Sequence, residues 1–349
     1  MAQEVLTDRV LSRATLARQL LLERSTLAPT DAVAHLVGLQ AQNPLDPYVA
    51  LWSRLDRFDP VALGELVESR ALVRMVVMRG TIHLVTAADA LVLRPLMQPV
   101  LDAEIARHRD FAPHLVGIDV EPVLAFAREI LGERPHTTAQ LRAAMAARFP
   151  DLHPGALAYA CRCFLPLVQV PPRGVWGKRA QVTLMTTDGW LGRPAAAAAS
   201  SIDDVVLRYL RAFGPATVAD VTAWCGLTGM RAVVERLRPS LVTFRDDRGR
   251  ELFDVPDGPR PDPDTPAPVR LLPEYDNVLL SHADRSRFAG HVMTPDDRSR
   301  AWVLVDGVVA GSWRWEGDTV AVELAGVTKK QAAAVDAEAR RLVRLGRGG

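Results

Sequence analysis

Over the first two thirds of the chain apolar residues recur at helical spacing, and beyond residue 268 the period shortens toward two. From about Leu6 to Ala112 the pattern predicts a helix over Arg13–Arg24 and a second that begins near Thr30 and ends at Gln40. Two more are expected over Tyr48–Leu55 and Pro60–Ser69. Two short strands, Leu72–Met78 and Thr81–Val85, flank Arg79-Gly80, where glycine suits a tight hairpin turn. A long helix over Ala87–His108 closes the region.

Two later regions, about Val120 to Asp188 and about Ser201 to Val255, read as repeats of one plan. Each opens on a helix, Val123–Leu131 or Val205–Ala212. After a Gly/Pro-containing break comes a helix started by threonine, at Thr137-Thr138 in one copy and Thr217 in the other. A third helix follows, Gly155–Leu165 or Gly229–Arg236, and then strands. These are Val168–Val170, Arg173–Lys178 and Val182–Met185 in the first copy, and Leu241–Arg245 and Leu252–Val255 around Asp246–Gly249 in the second. Three helices followed by a two-stranded wing is the winged helix-turn-helix pattern, and the first region fits it with extra helices. A helical bundle with incidental hairpins is the plainer alternative. Ala195–Ala199 reads as a linker or helix start, and Pro256–Pro268, rich in Pro and Asp, as a linker or ordered loop. Strands are then expected at Val269–Leu272, Val278–Ser281, Ala301–Val305, Val308–Trp315 and Thr319–Leu324, with hairpins at Asp306-Gly307 and Glu316-Gly317-Asp318. A final helix, Thr328–Arg341, ends among Arg340, Arg341, Arg344 and Arg347. The resulting expectation is an α+β chain of three tandem winged helix-turn-helix modules and a small C-terminal β-barrel. The module boundaries fall at 1–115, 116–195, 196–256 and 257–349.

One position breaks the apolar pattern. Val33, Leu36 and Val37 mark a helical stripe whose next place is held by Gln40, and Gln42 follows two residues on. Two amides at a helix end can hold a water or grip a base edge. A buried glutamine is also a common packing residue with its hydrogen bonds satisfied.

Composition narrows the chemistry. The 349 residues carry a formal net charge of +1, so nucleic-acid binding would have to come from local basic patches. Cys161, Cys163 and Cys225 form neither a CxxC pair nor a zinc spacing with histidine, which suits a reducing cytoplasm. No signal peptide and no membrane-spanning run is read. No phosphate-cradling glycine loop, nucleophile elbow or metal spacing occurs, so no cofactor and no metal are expected.

Candidate DNA contacts are the hairpin residues Arg79, Thr81 and His83 and the wing residues Arg173, Lys178, Arg179, Arg245, Arg248 and Arg250. Thr81 and His83 share a strand face, although a lone strand histidine is commonly a structural one. Asn43 and the polar group around Tyr275, Asp276, His282 and Arg285 could support a site. The latter group could equally lock the C-terminal region onto the winged helices.

Three segments taken together, Gly38-Leu39-Gln40-Ala41-Gln42-Asn43-Pro44, Met78-Arg79-Gly80-Thr81-Ile82-His83 and Leu272-Pro273-Glu274-Tyr275-Asp276, carry a family likeness. The chain resembles the AlkZ/YcaQ-type winged-helix DNA glycosylases over nearly its whole length. The resemblance implies a monofunctional DNA repair glycosylase with Gln40 and Gln42 as the catalytic pair, in the Gln-apolar-Gln form of the AlkZ-like branch. It implies hydrolysis of the glycosidic bond of alkylated guanine in double-stranded DNA and, in that branch, unhooking of interstrand crosslinks. A monomer in the cytoplasm, at the nucleoid, is the corresponding setting. Glutamine is neither acid nor base near neutral pH. Two such amides suffice only where the base already carries positive charge and leaves without protonation. The alternative is a non-catalytic winged-helix DNA-binding or regulatory protein, and a protein-interaction scaffold is a third reading.

Overall fold

The computed structural model describes residues 4–195, 201–288 and 300–346. The chain forms two compact units. One is continuous, Gly64–Ser200; the other is built from both ends, Met1–Leu63 and Ser201–Gly349. Most of Ala195–Ala199, and Arg347, lie outside the described residues.

In the continuous unit five strands run in the order Ile82–Thr86, Leu72–Val76, Leu167–Gln169, Thr183–Thr186, His136–Thr137, each neighbour antiparallel. The strands expected on either side of Arg79-Gly80 thus form, and they share a sheet with those of the following repeat. The turn between them has Arg79 at φ +56° and Gly80 at φ +71°. Helices Glu121–Glu133, Thr138–Arg148 and Pro154–Phe164 enclose a core of Leu124, Leu131, Leu141, Met145 and Leu157. Thr137 begins its helix with a capping box: its hydroxyl accepts from the N–H of Gln140, whose side chain accepts from the Thr137 N–H.

Two expectations for this unit fail. The single helix Ala87–His108 is two, Ala87–Leu96 and Gln98–Arg107, broken at Met97 between Pro95 and Pro99. Arg173–Lys178 is a series of turns rather than a strand. Pro171 and Pro172 have no N–H to give a ladder, and Gly174 and Gly177 sit at φ +86° and +73°.

In the second unit helices Ile202–Phe213, Val218–Cys225 and Met230–Leu237 precede a hairpin of Val242–Asp246 and Glu251–Asp254. Thr217 makes the same capping box, here with Asp220. Val5–Leu6 adds a parallel edge strand to this hairpin. Arg18, at the end of helix Asp8–Arg18, donates to both oxygens of the buried Asp254, at 2.6 and 2.8 Å. The first helix is therefore displaced from the expected Arg13–Arg24.

The C-terminal sheet has four strands, Arg270–Leu272, Ala301–Val305, Val308–Glu316 and Thr319–Leu324, paired in sequence order. It is open, with its first and last strands at the edges, and not the expected closed barrel. Its expected second strand, Val278–Ser281, is helical instead, because the Asp276 carboxylate accepts from the Val278 N–H at 3.0 Å and starts a turn over Asn277–Leu280. The helix Lys329–Gly346 packs on Thr319–Leu324 and on Arg270–Leu272, buries Val335, Ala339 and Leu342, and runs past the expected Arg341. Among the described residues no helix is long and apolar enough to cross a membrane.

Candidate active site

The helix before the Gln-Ala-Gln run ends earlier than its apolar stripe suggests. It covers Pro29–His35, and Val37 (φ +56°) and Gly38 (φ +92°) then reverse the chain. Gln40 consequently lies on a two-residue extended segment, Leu39–Gln40, and not on a helix face. Gln40 and Ala41 are buried, whereas Gln42 and Asn43 are exposed. The next helix, Asp46–Arg54, begins almost at once.

A second segment, Pro273–Asn277, holds this turn in place. The strand leading to it is fixed by two hydrogen bonds. Ser53 Oγ donates to the Leu271 carbonyl at 2.5 Å, and Trp313 Nε1 donates to that of Leu272 at 2.8 Å. Beyond it, Asn277 uses both ends of its amide on the Gln40 turn. Its Oδ1 accepts from the Gln40 N–H at 3.3 Å, and its Nδ2 donates to the Gly38 carbonyl at 2.7 Å. Asn277 thus plays the part a neighbouring strand would play. Asn43 Nδ2 donates to Glu274 Oε2 at 2.5 Å. Between these contacts Tyr275 sits at φ +56°, a left-handed conformation rare for a bulky residue and characteristic of strained functional turns.

Asp276 supports the whole from beneath. Its two oxygens accept from Arg54 at 2.7 and 2.8 Å, and both side chains are fully enclosed. Arg54 also donates to the Ala50 carbonyl and to Gln19 Oε1, and Gln19 Nε2 donates to the Ala212 carbonyl. Sequence reasoning offered Asn43, Tyr275 and Asp276 as supporting residues and placed Glu274 and Asn277 in the same polar segment, without giving either a role. It missed Asp46 and Arg54, which gave no local signal. Asp46 is a buried carboxyl whose pKa is raised from 3.8 to about 8. Burial is the main cause, followed by the neighbouring Glu274, with Asp276 adding to it.

His282 and Arg285 do not join this site. His282 is buried, donates from Nε2 to the Phe213 carbonyl at 3.1 Å, and is kept neutral by burial and by Arg287. Arg287 in turn donates to Thr15 Oγ1 and the Pro215 carbonyl, and Asp220 accepts from the Ala283 N–H. This cluster ties helices to the C-terminal region, as the locking alternative requires. Arg285 starts the short turn Ser286–Phe288 through its carbonyl.

The candidate DNA contacts divide. His83 is fully buried in its strand, donates from Nδ1 to the Thr81 carbonyl at 3.0 Å, and has its pKa pushed down to about 3 by burial and by Arg79. It supports the hairpin from within and is withdrawn as a contact. Thr81 also turns inward, donating from Oγ1 to the Met78 carbonyl. Arg173 is committed to the Ala180 carbonyl, and Lys178 pairs with Glu68. Arg179 is exposed. In the other unit Arg248 forks onto Asp8 at 3.1 Å, Arg250 bridges Asp246 and Asp284, and exposed Arg245 donates to the Gly249 carbonyl.

Comparison with known proteins bears on this arrangement. Residues 33–345 match the family described as DNA glycosylase AlkZ-like. Among solved structures the chain is similar to a Streptomyces sahachiroi DNA glycosylase AlkZ. The TM-score is 0.79 with 20% identity, over 98% of this chain and 97% of that one. Comparison with curated proteins gives no match.

Proposed function

The chain belongs to the AlkZ-like DNA glycosylase family, and we propose that it hydrolyses the N-glycosidic bond of cationic alkylated guanine in duplex DNA, with Gln40 and Gln42 placing the attacking water. The observation that carries this reading is the turn itself: the run into Gln40-Ala41-Gln42 is anchored by Asn277 at the Gly38 carbonyl and the Gln40 N–H. Clamping the backbone at Gly38 and Gln40 fixes where the turn presents its two side-chain amides.

Guanine alkylated on its major-groove ring nitrogen carries a positive charge and leaves without a general acid. The enzyme's task is then to hold water beneath the anomeric carbon and to face an oxocarbenium-like centre with negative dipoles. Two amide oxygens do both, accepting from the water and pointing partial negative charge at the sugar. Fixing the nucleophile in a near-attack position supplies several kcal/mol of barrier reduction. Neutral damaged bases, which need protonation to leave, are poor substrates for such a site.

Three winged-helix modules over 1–115, 116–195 and 196–256 belong to the same proposal, followed by an open sheet and helix over 257–349. The matching capping boxes at Thr137 and Thr217 support the second and third modules. The exposed Arg179 and Arg245, and Arg79 at its hairpin tip, are candidate phosphate contacts. Lys178, Arg248 and Arg250 would exchange a carboxylate partner for a phosphate. Unhooking of crosslinks fits an enzyme that works on a base it cannot rotate fully out of the duplex.

The test is release of alkylguanine from methylated and from crosslinked duplexes assayed side by side. The purified protein should release base from the first and separate the strands' linkage in the second. Gln40→Ala with Gln42→Ala should abolish release while duplex binding survives. Wild-type release by the double variant would sink the assignment.

A further inference from the structure

The arginines that close the last helix take no part in the Gln40 turn or in the hairpins. Arg341 and Arg344 lie near the end of helix Lys329–Gly346, and with Arg24 and Arg57 from the start of the chain they line a groove of about 440 Å³. All four belong to the discontinuous unit. Trp52 supplies an apolar wall, with the Arg24 guanidinium 5.2 Å from its ring centre. Asp59 is the one acid lining the groove among the described residues, and its Oδ1 already accepts from the Val61 N–H at 2.8 Å. Glu338 answers Arg24 and Arg341 together, at 2.5 and 3.3 Å. Arg57 has only Asp56, at 3.4 Å and exposed, a pairing worth little in water. Arg344 is exposed and has no hydrogen bond or carboxylate partner among the described residues.

Four guanidinium groups therefore meet in one concavity with too few carboxylates to answer them, in a chain whose formal net charge is only +1. The end of a helix favours arginine, which accounts for Arg341 and Arg344 taken singly. It does not account for Arg24 and Arg57 arriving from other parts of the chain. Guanidinium forks are weakly hydrated and match the oxygens of a phosphate, so the groove suits a polyanion that brings several phosphates at once. Its position favours DNA over an acidic protein. Trp52 stands near the end of helix Asp46–Arg54, whose start follows the Gln40 turn. Nine residues of helix span about 13 Å, the rise of about four nucleotides along a strand. We infer that Arg57, Arg341 and Arg344 form a phosphate-contact surface for the duplex flanking the target base, apart from the hairpin residues. Arg24, held between Glu338 and Trp52, builds its wall. The inference rests on the reading that Gln40 and Gln42 act on a base in DNA.

The test is the salt dependence of binding to an unmodified duplex, for wild type and for Arg57→Gln with Arg344→Gln. Neither arginine holds a buried partner, so the double variant should melt with the wild type. Each phosphate contact contributes about 0.9 to the slope of log affinity against log salt, so the slope should flatten by about 1.8. The loss in affinity is then about 60-fold at 0.1 M salt and vanishes toward 1 M. Adding Arg341→Gln should flatten the slope by about 0.9 more. The control is Arg9→Gln with Arg314→Gln, which removes the same charge from exposed arginines elsewhere in the unit and should leave the slope near wild type. Release of base from a methylguanine duplex adds a second readout. The groove variant should match the wild-type rate at saturating duplex and fall behind it, by the factor lost in affinity, at limiting duplex. A wild type that binds DNA but releases no base removes the hydrolase reading and leaves the groove to the salt slopes. A groove variant whose slope equals that of the wild type or of the control, or a wild type that ignores duplex at low salt, would overturn the inference.

Discussion

Asp276 receives two nitrogens of Arg54, at 2.7 and 2.8 Å, in a place where neither side chain meets solvent. The pair joins the helix that follows the Gln40 turn to the segment that clamps it. Such a pair is worth little over an apolar substitute, but removing one member leaves the other as a buried, unanswered charge. Arg54→Met or Asp276→Leu alone should therefore cost about 3–5 kcal/mol in denaturant unfolding. The double variant should recover much of that loss. Additive losses in the cycle would show that the two residues act independently.

The Asn277 clamp makes a different prediction. Asn277→Ala removes two hydrogen bonds to the backbone of the Gln40 turn, and base release should fall about 100-fold if placement of water depends on it. Duplex affinity should change little. Asn277→Asp keeps the acceptor for the Gln40 N–H but loses the donor to Gly38, so it should lie between wild type and alanine. Equal rates for all three proteins would remove Asn277 from the catalytic apparatus.

Global stability should carry the signature of Asp46. Its folded pKa, about 8, lies above the unfolded value of 3.8, so the folded state holds the extra proton between these limits. The stability this group contributes is full below the unfolded value and is lost as pH rises through the folded one. Asp46→Asn should flatten that decline, with a Tm a few degrees above wild type at pH 8 and little difference near pH 4. Parallel Tm-against-pH curves for the two proteins would contradict the assignment.

Gly80 is fixed by geometry in the other unit. Its φ is +71°, and a Cβ there would come within 2.3 Å of Glu104 Oε2. Glu104 is already engaged by Tyr159 and Arg162, and Arg162 also donates to the Gly80 carbonyl at 2.9 Å. Gly80→Ala should destabilise by about 1–3 kcal/mol, since it combines backbone strain with a displaced ion pair. Thermal melting of the variant measures this directly, and a change under half a kcal/mol would mean that the hairpin yields without cost.

What was legible in the sequence was local. Thr137 and Thr217 announce their helices because capping is settled within four residues, and Asp306-Gly307 announces its hairpin for the same reason. Gln40 was noticed for a partly mistaken reason: it breaks an apolar stripe, yet the helix has already ended at His35. Val278–Ser281 was misread because an apolar run of four does not distinguish a strand from a turn of helix, and the deciding cap, Asp276, is held by Arg54 from far away. Asn277 and Gln40 lie 237 positions apart, and no periodicity connects them. Asp46 reads as an ordinary first-turn acid, since the charges of Glu274 and Asp276 that add to its raised pKa come from the other end of the chain.

The discontinuity of the unit bearing the Gln40 turn has a consequence for synthesis. A ribosome delivers Gln40 and Gln42 early, then the whole of Gly64–Ser200, which has its own core and can fold as it emerges. Asn277, Glu274 and Asp276 come last. Until then the Gln40 turn lacks its clamp, and Arg54 waits without its acid. Activity should therefore appear only after the chain has passed residue 277, so that a nascent glycosylase held near DNA remains inert until its final third is made.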